Sequence, residues 1–285
     1  MTRQIADAVT APRRGATGRG PLSLVRTGIA EIFERRRLTR YLVGAELKQT
    51  HADTLFGQLW WILDPLLQMA VYFVLVVIIF NRPIPGFPLF IFVAILPWKW
   101  FTASINEAML SVTGRQALIR QIQFPKIILP TAAVVAGTMS FLFGLIALAI
   151  VYVFYLDRIS IWLLCLPLIA AIQFVFTLAL GILFSALNAF FRDIQNVLSH
   201  VLRLWFYLSP ALYSRDMFEK AHPTAAAILA YNPFAVLFES YRAVTYGTSA
   251  PNWIGLALLL AASLVMLAMA IILFKRVEPA FARIL

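Results

Sequence analysis

Charge is scarce in this chain. Of its 285 residues only 13% are Asp, Glu, Lys or Arg, while 61% are hydrophobic, and the mean hydropathy is +0.83. A soluble domain carries about 25% charged residues to cover its water-facing surface, so a bilayer must take the place of water around most of this protein. Cysteine is nearly absent. Cys165 stands alone in an apolar stretch, which excludes an internal disulfide, argues against a thiolate metal site and leaves it a small apolar residue. His51, His200 and His222 are far apart and show no paired-ligand spacing, so no metal enzyme is indicated. The dipeptide Gly-Lys, which closes a phosphate-binding P-loop, occurs nowhere, and ATP cannot be bound through that motif. Carboxylates are also missing from the apolar runs, except for Asp64 and Glu107 near run ends. A proton-coupled carrier relies on such buried groups, so energy has to come from another source. No residue presents itself as a positioned general base, and no catalytic role is assigned.

What is present is apolar length. A span needs about 20 mainly apolar residues, and six runs qualify, over roughly 60–80, 88–108, 127–155, 161–190, 197–213 and 253–274, the fifth being the weakest. In lipid the backbone must satisfy itself, which leaves helices. The expected fold class is therefore all-α: a polytopic membrane protein with six transmembrane helices, an N-terminal amphipathic interfacial helix and a re-entrant outer helical hairpin, forming one transmembrane domain over 38–285. Residues 1–37 are polar, rich in Arg, Ala, Gly and Pro, and lack the apolar core of a signal peptide. They are expected to form a mostly disordered cytoplasmic tail.

The net charge is +11, but its placement speaks for a membrane rather than nucleic acid, which would want a basic stripe on a folded domain. The N-terminal region to Lys48, the loop Arg115–Lys126, the stretch Arg192–Arg203 and the end Lys275–Arg283 together hold 18 of the 24 basic residues. The opposite loops hold Arg82, Arg158, Arg215, Lys220 and Arg242. Positive loops stay inside, so both termini are expected in the cytoplasm.

Three segments are neither spans nor simple turns. Residues 38–56 place Leu38, Tyr41, Leu42, Ala45, Ala52, Leu55 and Phe56 at helical spacing, which fits an amphipathic helix in the headgroup layer or a soluble helix packed on a partner. Residues 113–125 can form a short helix, capped by Thr113 and ended by Phe124-Pro125. They sit within a loop, 109–126, longer than a connector requires, and a docking role is expected. The stretch 214–252 is apolar in its centre, broken at Asn232-Pro233, and carries Glu239 and Arg242. On a helix those two share a face and could pair, which suggests a re-entrant hairpin over 214–245 buried in protein; an external loop with one helix is the other reading.

Several motifs follow in a fixed order. They are Gly57-Gln58-Leu59-Trp60-Trp61 leading into Asp64-Pro65, Leu96-Pro97-Trp98-Lys99-Trp100-Phe101, Arg120 through Phe124-Pro125-Lys126, Phe190-Phe191-Arg192-Asp193-Ile194, Leu208-Ser209-Pro210-Ala211-Leu212-Tyr213 and Tyr231-Asn232-Pro233-Phe234. Together they resemble, over about residues 35–280, the permease subunits of ABC exporters for lipid-linked polysaccharides and polyol phosphates such as O-antigen, capsule and teichoic acid. The resemblance implies a non-catalytic subunit in the bacterial inner membrane. A separate ABC ATPase would bind the ATP and Mg, this chain holding no cofactor, and two permeases with two ATPases would form the unit around a channel. Arg115, Ile119, Arg120, Ile122, Phe124, Pro125 and Lys126 would belong to the coupling segment, with Arg192 and Asp193 as a second ATPase contact. A glycan is polar with apolar sugar faces, so Tyr72, Phe73, Trp205, Phe206, Tyr207 and Tyr213 are candidate stacking groups along the channel; interfacial belts or ordinary packing would use the same residue types. Arg35, Arg36, Arg37 and Arg40 could recruit a lipid pyrophosphate, or serve general attraction to anionic lipid and topology. A permease for a drug or small lipid, and a membrane-embedded transferase acting on lipid-linked sugars, are the competing functions.

Overall fold

The computed structural model describes residues 20–49, 54–81, 84–213, 229 and 231–284. Among them there is no strand, and five segments are long and apolar enough to cross a membrane: Gly57–Ile79, Phe87–Thr113, Ile128–Tyr152, Ile161–Phe190 and Trp253–Phe281. The chain is an all-α polytopic membrane protein. Its helices are α1 (Pro21–Glu34), α2 (Arg36–Gln49), α3 (Trp60–Phe73), α4 (Phe87–Thr113), α5 (Gln116–Gln121), α6 (Ile128–Tyr152), α7 (Leu166–Phe190), α8 (Ile194–Leu208), α9 (Pro233–Thr245) and α10 (Trp253–Ile284). The fifth apolar run is helical as α8 but only 15 residues long. At 1.5 Å per residue that is about 22 Å, short of the roughly 30 Å hydrocarbon layer. It stops because Ser209 is extended (ψ 151°), as the residue before a proline tends to be, and Pro210 cannot donate to continue the ladder. Residues 214–228, the first part of the expected outer hairpin, lie outside the described residues.

Helix α4 is the axis of the bundle. Over its most apolar 18 residues 78% are buried, against 17% for the Gly57–Ile79 span. It packs on α6 and α7, while α7 packs most extensively on α10. Lipid offers no hydrophobic drive between helices, so close approach through small residues matters. Gly137 of α6 shows this, because a Cβ there would collide with the Ser104 side chain of α4. Gly137→Val is expected to cost about 1–3 kcal/mol through overpacking. A melting curve identical to wild type would contradict the close α4–α6 contact.

Polar groups buried between these helices are tied to backbone. Gln173 Nε2 donates to Pro97 O at 2.8 Å. Asn188 Nδ2 donates to Met109 O at 3.1 Å and to Thr113 Oγ1 at 3.3 Å, which binds the C-terminal ends of α7 and α4 together. Helix α3 begins after a turn at Gly57 (φ 49°), and past Phe73 it widens into π-helix over Val74–Ile79.

The N-terminal region differs from the irregular tail its composition suggests, since residues 21–34 form α1. Two contacts hold it on α10. Leu24 and Gly28 are buried, with Gly28 close against Ile271. The buried Lys275 bonds both Glu31 and Glu278, the latter at 2.6 Å. Burial pushes the Glu31 carboxyl above its usual range, against the downward pull of its bond to Lys275. Helix α2 covers the front of the expected amphipathic segment 38–56 and ends at Gln49, while residues 50–53 lie outside the described set. Its Leu42 joins an apolar cluster with Ile119, Ile127 and Phe274.

Candidate functional site

Two regions concentrate the polar and aromatic side chains. At the Phe87 end of α4, residues 209–213 after α8 and the start of α9 are held by Asn232 and Arg242. Asn232 caps α9, its Oδ1 accepting from Phe234 N at 3.0 Å and from Trp205 Nε1 at 3.0 Å, while its Nδ2 donates to Ser209 Oγ at 2.9 Å. One side chain thus joins the Ser-Pro and Asn-Pro motifs. The guanidinium of Arg242 is buried and lies over the Phe90 ring at 3.6 Å. It donates to the carbonyls of Phe90 (3.3 Å), Pro210 (2.5 Å), Tyr213 (3.3 Å) and Ala211. The i, i+3 spacing had pointed to Glu239 as its partner, but its hydrogen bonds go to main chain from two other parts of the fold. Glu239 acts on it through its charge. Tyr152 Oη donates to Thr245 O (2.6 Å) and Arg158 Nη1 to Tyr246 O (2.8 Å), which anchors the end of α9.

Alongside α8 runs a polar groove of about 480 Å3 between α3, α4 and α8. Helix α8 buries Leu198, Leu202 and Phe206, one residue per turn. The groove is lined by Gln68 and Tyr72 from α3, Thr102 and Asn106 from α4, and Ser199, Arg203 and Tyr207 from α8. Helices α3 and α4 each contribute a pair spaced i, i+4 and α8 a row of three at the same spacing, which places the side chains one above the other on one face. Tyr72 and Phe206 are 5.8 Å apart between ring centroids, and Phe206 and Tyr207 5.5 Å.

Of the six aromatic candidates, Tyr72, Phe206 and Tyr207 line the groove. Trp205 turns away into an aromatic cluster with Trp98, Phe101, Phe176 and Phe234, because its indole N–H finds the Asn232 acceptor there. Phe73 packs with Val76 and Phe90, and Tyr213 supplies a carbonyl to Arg242 and donates its hydroxyl to Leu208 O at 3.2 Å. Sequence reasoning passed over Gln68, Thr102, Asn106, Ser199 and Arg203. Their signal was the pairing of polar residues four apart inside apolar runs. The groove's lining offers hydroxyls, amides, ring faces and the cation of Arg203, with no carboxylate. That mix can hold a polar chain by many weak contacts without trapping it. Among the described residues no group of three or more His, Cys, Asp or Glu could hold a metal ion.

The second region lies at the Thr113 end of α4. Arg115 pairs with Glu46 of α2, Ile119 is buried, Phe124 packs against the Leu42 cluster, and Lys126 N donates to Glu278 Oε1 at 2.6 Å. Pro125 O accepts from Ile128 N at 3.3 Å and so starts α6. These residues hold the segment in place. Arg120 and Ile122 face outward, Ile122 being 52% exposed. Arg192 and Asp193 are exposed in the turn from α7 to α8 at this same end, where Phe190 meets Phe281. Arg35, Arg36, Arg37 and Arg40 are all exposed on or beside α2.

Comparison with known proteins adds to this geometry. The family described as ABC-2 type transporter matches residues 37–246. The O-antigen export system permease protein RfbA of Myxococcus xanthus is 34% identical over 254 residues, covering 89% of this chain and 97% of the relative. Two proteins of that name from Klebsiella pneumoniae are 29% and 27% identical over 245 residues, covering 86% of this chain and 93% of each relative.

Proposed function

The chain belongs to the ABC-2 type transporter membrane family, and from that premise we propose that it is the permease subunit of an exporter moving an O-antigen-like polysaccharide, carried on a lipid, across the bacterial inner membrane. The observation that carries this reading is the groove from Gln68 to Tyr207, polar on three helices and open along one side of the bundle. A second copy of the chain closes such a groove into a channel, which gives a two-fold unit. Polar and aromatic groups in rows suit a long glycan, whose hydroxyls and apolar sugar faces need repeated weak contacts rather than one deep pocket.

The chain has no phosphate-binding loop of its own, so a separate ABC ATPase binds ATP with Mg and drives transport. It docks at the Thr113 end, where Arg120, Ile122, Arg192 and Asp193 are exposed. The concentration of basic residues in the segments at that end supports a cytoplasmic side there, with both termini in the cytoplasm. The exposed arginines Arg35, Arg36, Arg37 and Arg40 are then positioned to meet the lipid pyrophosphate of the substrate. The subunit itself carries out no chemical step.

Deleting the gene is expected to abolish surface polysaccharide and to leave lipid-linked glycan accumulating inside, with wild type restoring export. The double variant Asn106→Leu, Ser199→Leu removes an amide and a hydroxyl from the groove and adds two apolar side chains on α4 and α8. It should fail to restore export while reaching the membrane at normal level. Surface glycan unaffected by deletion would overturn the exporter reading.

A further inference from the structure

On another face of α4, a second cavity of about 180 Å3 lies between α3, α4 and α6. None of its lining residues belongs to the groove. It is lined by Trp60, Trp61, Asp64, Lys99, Trp100 and Glu107, among others. Ionisable side chains inside spans are costly and mark function, and three of them meet this one space. Lys99 pairs with Asp64. Glu107 has no hydrogen bond or ion pair among the described residues. Trp100 is 3% exposed and stacks on Phe141 at 4.4 Å, and its buried Nε1 donor has no partner among the described residues.

We propose that this cavity binds the headgroup of an aminophospholipid, a phosphate ester bearing a primary ammonium, drawn from the surrounding bilayer. Lys99 has three N–H donors and Asp64 occupies only one, so two remain for phosphate oxygens. Glu107 is the acceptor for the ammonium, and tryptophan faces add cation–π attraction. The order along the helix fits the ligand. Glu107 is eight residues, about 12 Å, nearer than Lys99 to the Thr113 end, where the basic loop residues mark the membrane surface. A phospholipid carries its ammonium outside its phosphate, the order in which Lys99 and Glu107 follow toward that end. The two charges are only a short ethanolamine linker apart, so the long Lys99 and Glu107 side chains have to meet them across the one cavity that both line. Trp60 and Trp61 lie at the start of the first span, the level at which tryptophans anchor in the interface. The carboxylate separates this ligand from an anionic lipid, which has no cation to offer Glu107.

The test is native mass spectrometry of the full-length chain in detergent, with equal amounts of phosphatidylethanolamine and phosphatidylglycerol of the same acyl chains. One ethanolamine lipid per chain is expected in preference by about tenfold, the worth of one charge-assisted hydrogen bond. Glu107→Gln should bring the ratio to about one, and Lys99→Gln should weaken both lipids. Equal binding of the two lipids by the wild-type chain, which requires no variant to fold, would overturn the proposal. So would an unchanged preference in a Glu107→Gln chain of normal melting temperature. Soluble phosphoethanolamine should give no adduct at the same concentration; an adduct as abundant as the lipid's would refute a bilayer source. The readout is lipid binding, so the result stands apart from whether the chain exports a glycan.

Discussion

Replacing Arg242 by methionine should destabilise the protein by about 3–5 kcal/mol, the range for removing one partner from a buried charged contact. Four carbonyls, those of Phe90, Pro210, Ala211 and Tyr213, converge on this guanidinium. Three of them belong to the stretch after α8, where no helix can satisfy them because Pro210 interrupts the ladder. Methionine matches the volume and keeps contact with the Phe90 ring, but leaves buried acceptors without donors. Arg242→Lys should recover little, since an ammonium cannot reach acceptors arrayed around a planar fork. The measurement is thermal unfolding in detergent, where a fall of about 10 °C is expected. Glu239→Gln is the control. If it costs as much as Arg242→Met, and the double variant adds nothing further, the carboxylate rather than the carbonyls sets the role of Arg242.

The second large effect concerns Ile122. Because it is half exposed in an extended stretch (φ −125°, ψ 132°) just past α5, Ile122→Asp should leave the fold intact. On the proposed ATPase contact the same change buries a carboxylate against a partner, at a cost of about 3 kcal/mol, or roughly a hundredfold in association. Co-purification of the ATPase with the chain should fall accordingly, and export with it, at an unchanged melting temperature. Normal association and export would remove Ile122 from the coupling surface. The neighbouring residues cannot give so clean an answer. Arg115 and Phe124 are tied into the bundle, and their loss would confound docking with folding.

Hydropathy alone located the spans, because a 20-residue apolar run has few other uses. The fifth run fell short for a local reason, the Ser209-Pro210 break, which a sliding average does not register. Helix α1 was invisible because its stability is tertiary. Its sequence is unremarkable until Glu31 meets Lys275 and Gly28 meets Ile271. The outer motifs were recognisable, yet the work of Asn232 and Arg242 was not. Both act on backbone groups brought in from distant segments, whereas spacing rules see only neighbours on one helix. Aromatic identity likewise could not say which rings face the groove. Trp205 and Phe206 are adjacent in sequence and turn to different surroundings, the indole toward Asn232 and the phenyl toward Tyr72.

The buried Lys275 joins the first helix of the described chain to the last, across 244 positions of sequence. During synthesis Glu31 leaves the ribosome long before its partner exists. At about 5–20 residues per second the interval is roughly 10–50 s, and α1 spends it unlatched. The same lysine holds Glu278, which receives the backbone of Lys126. The segment proposed to meet the ATPase is therefore completed only once the final helix has entered the membrane, so an unfinished permease has no finished docking face to offer.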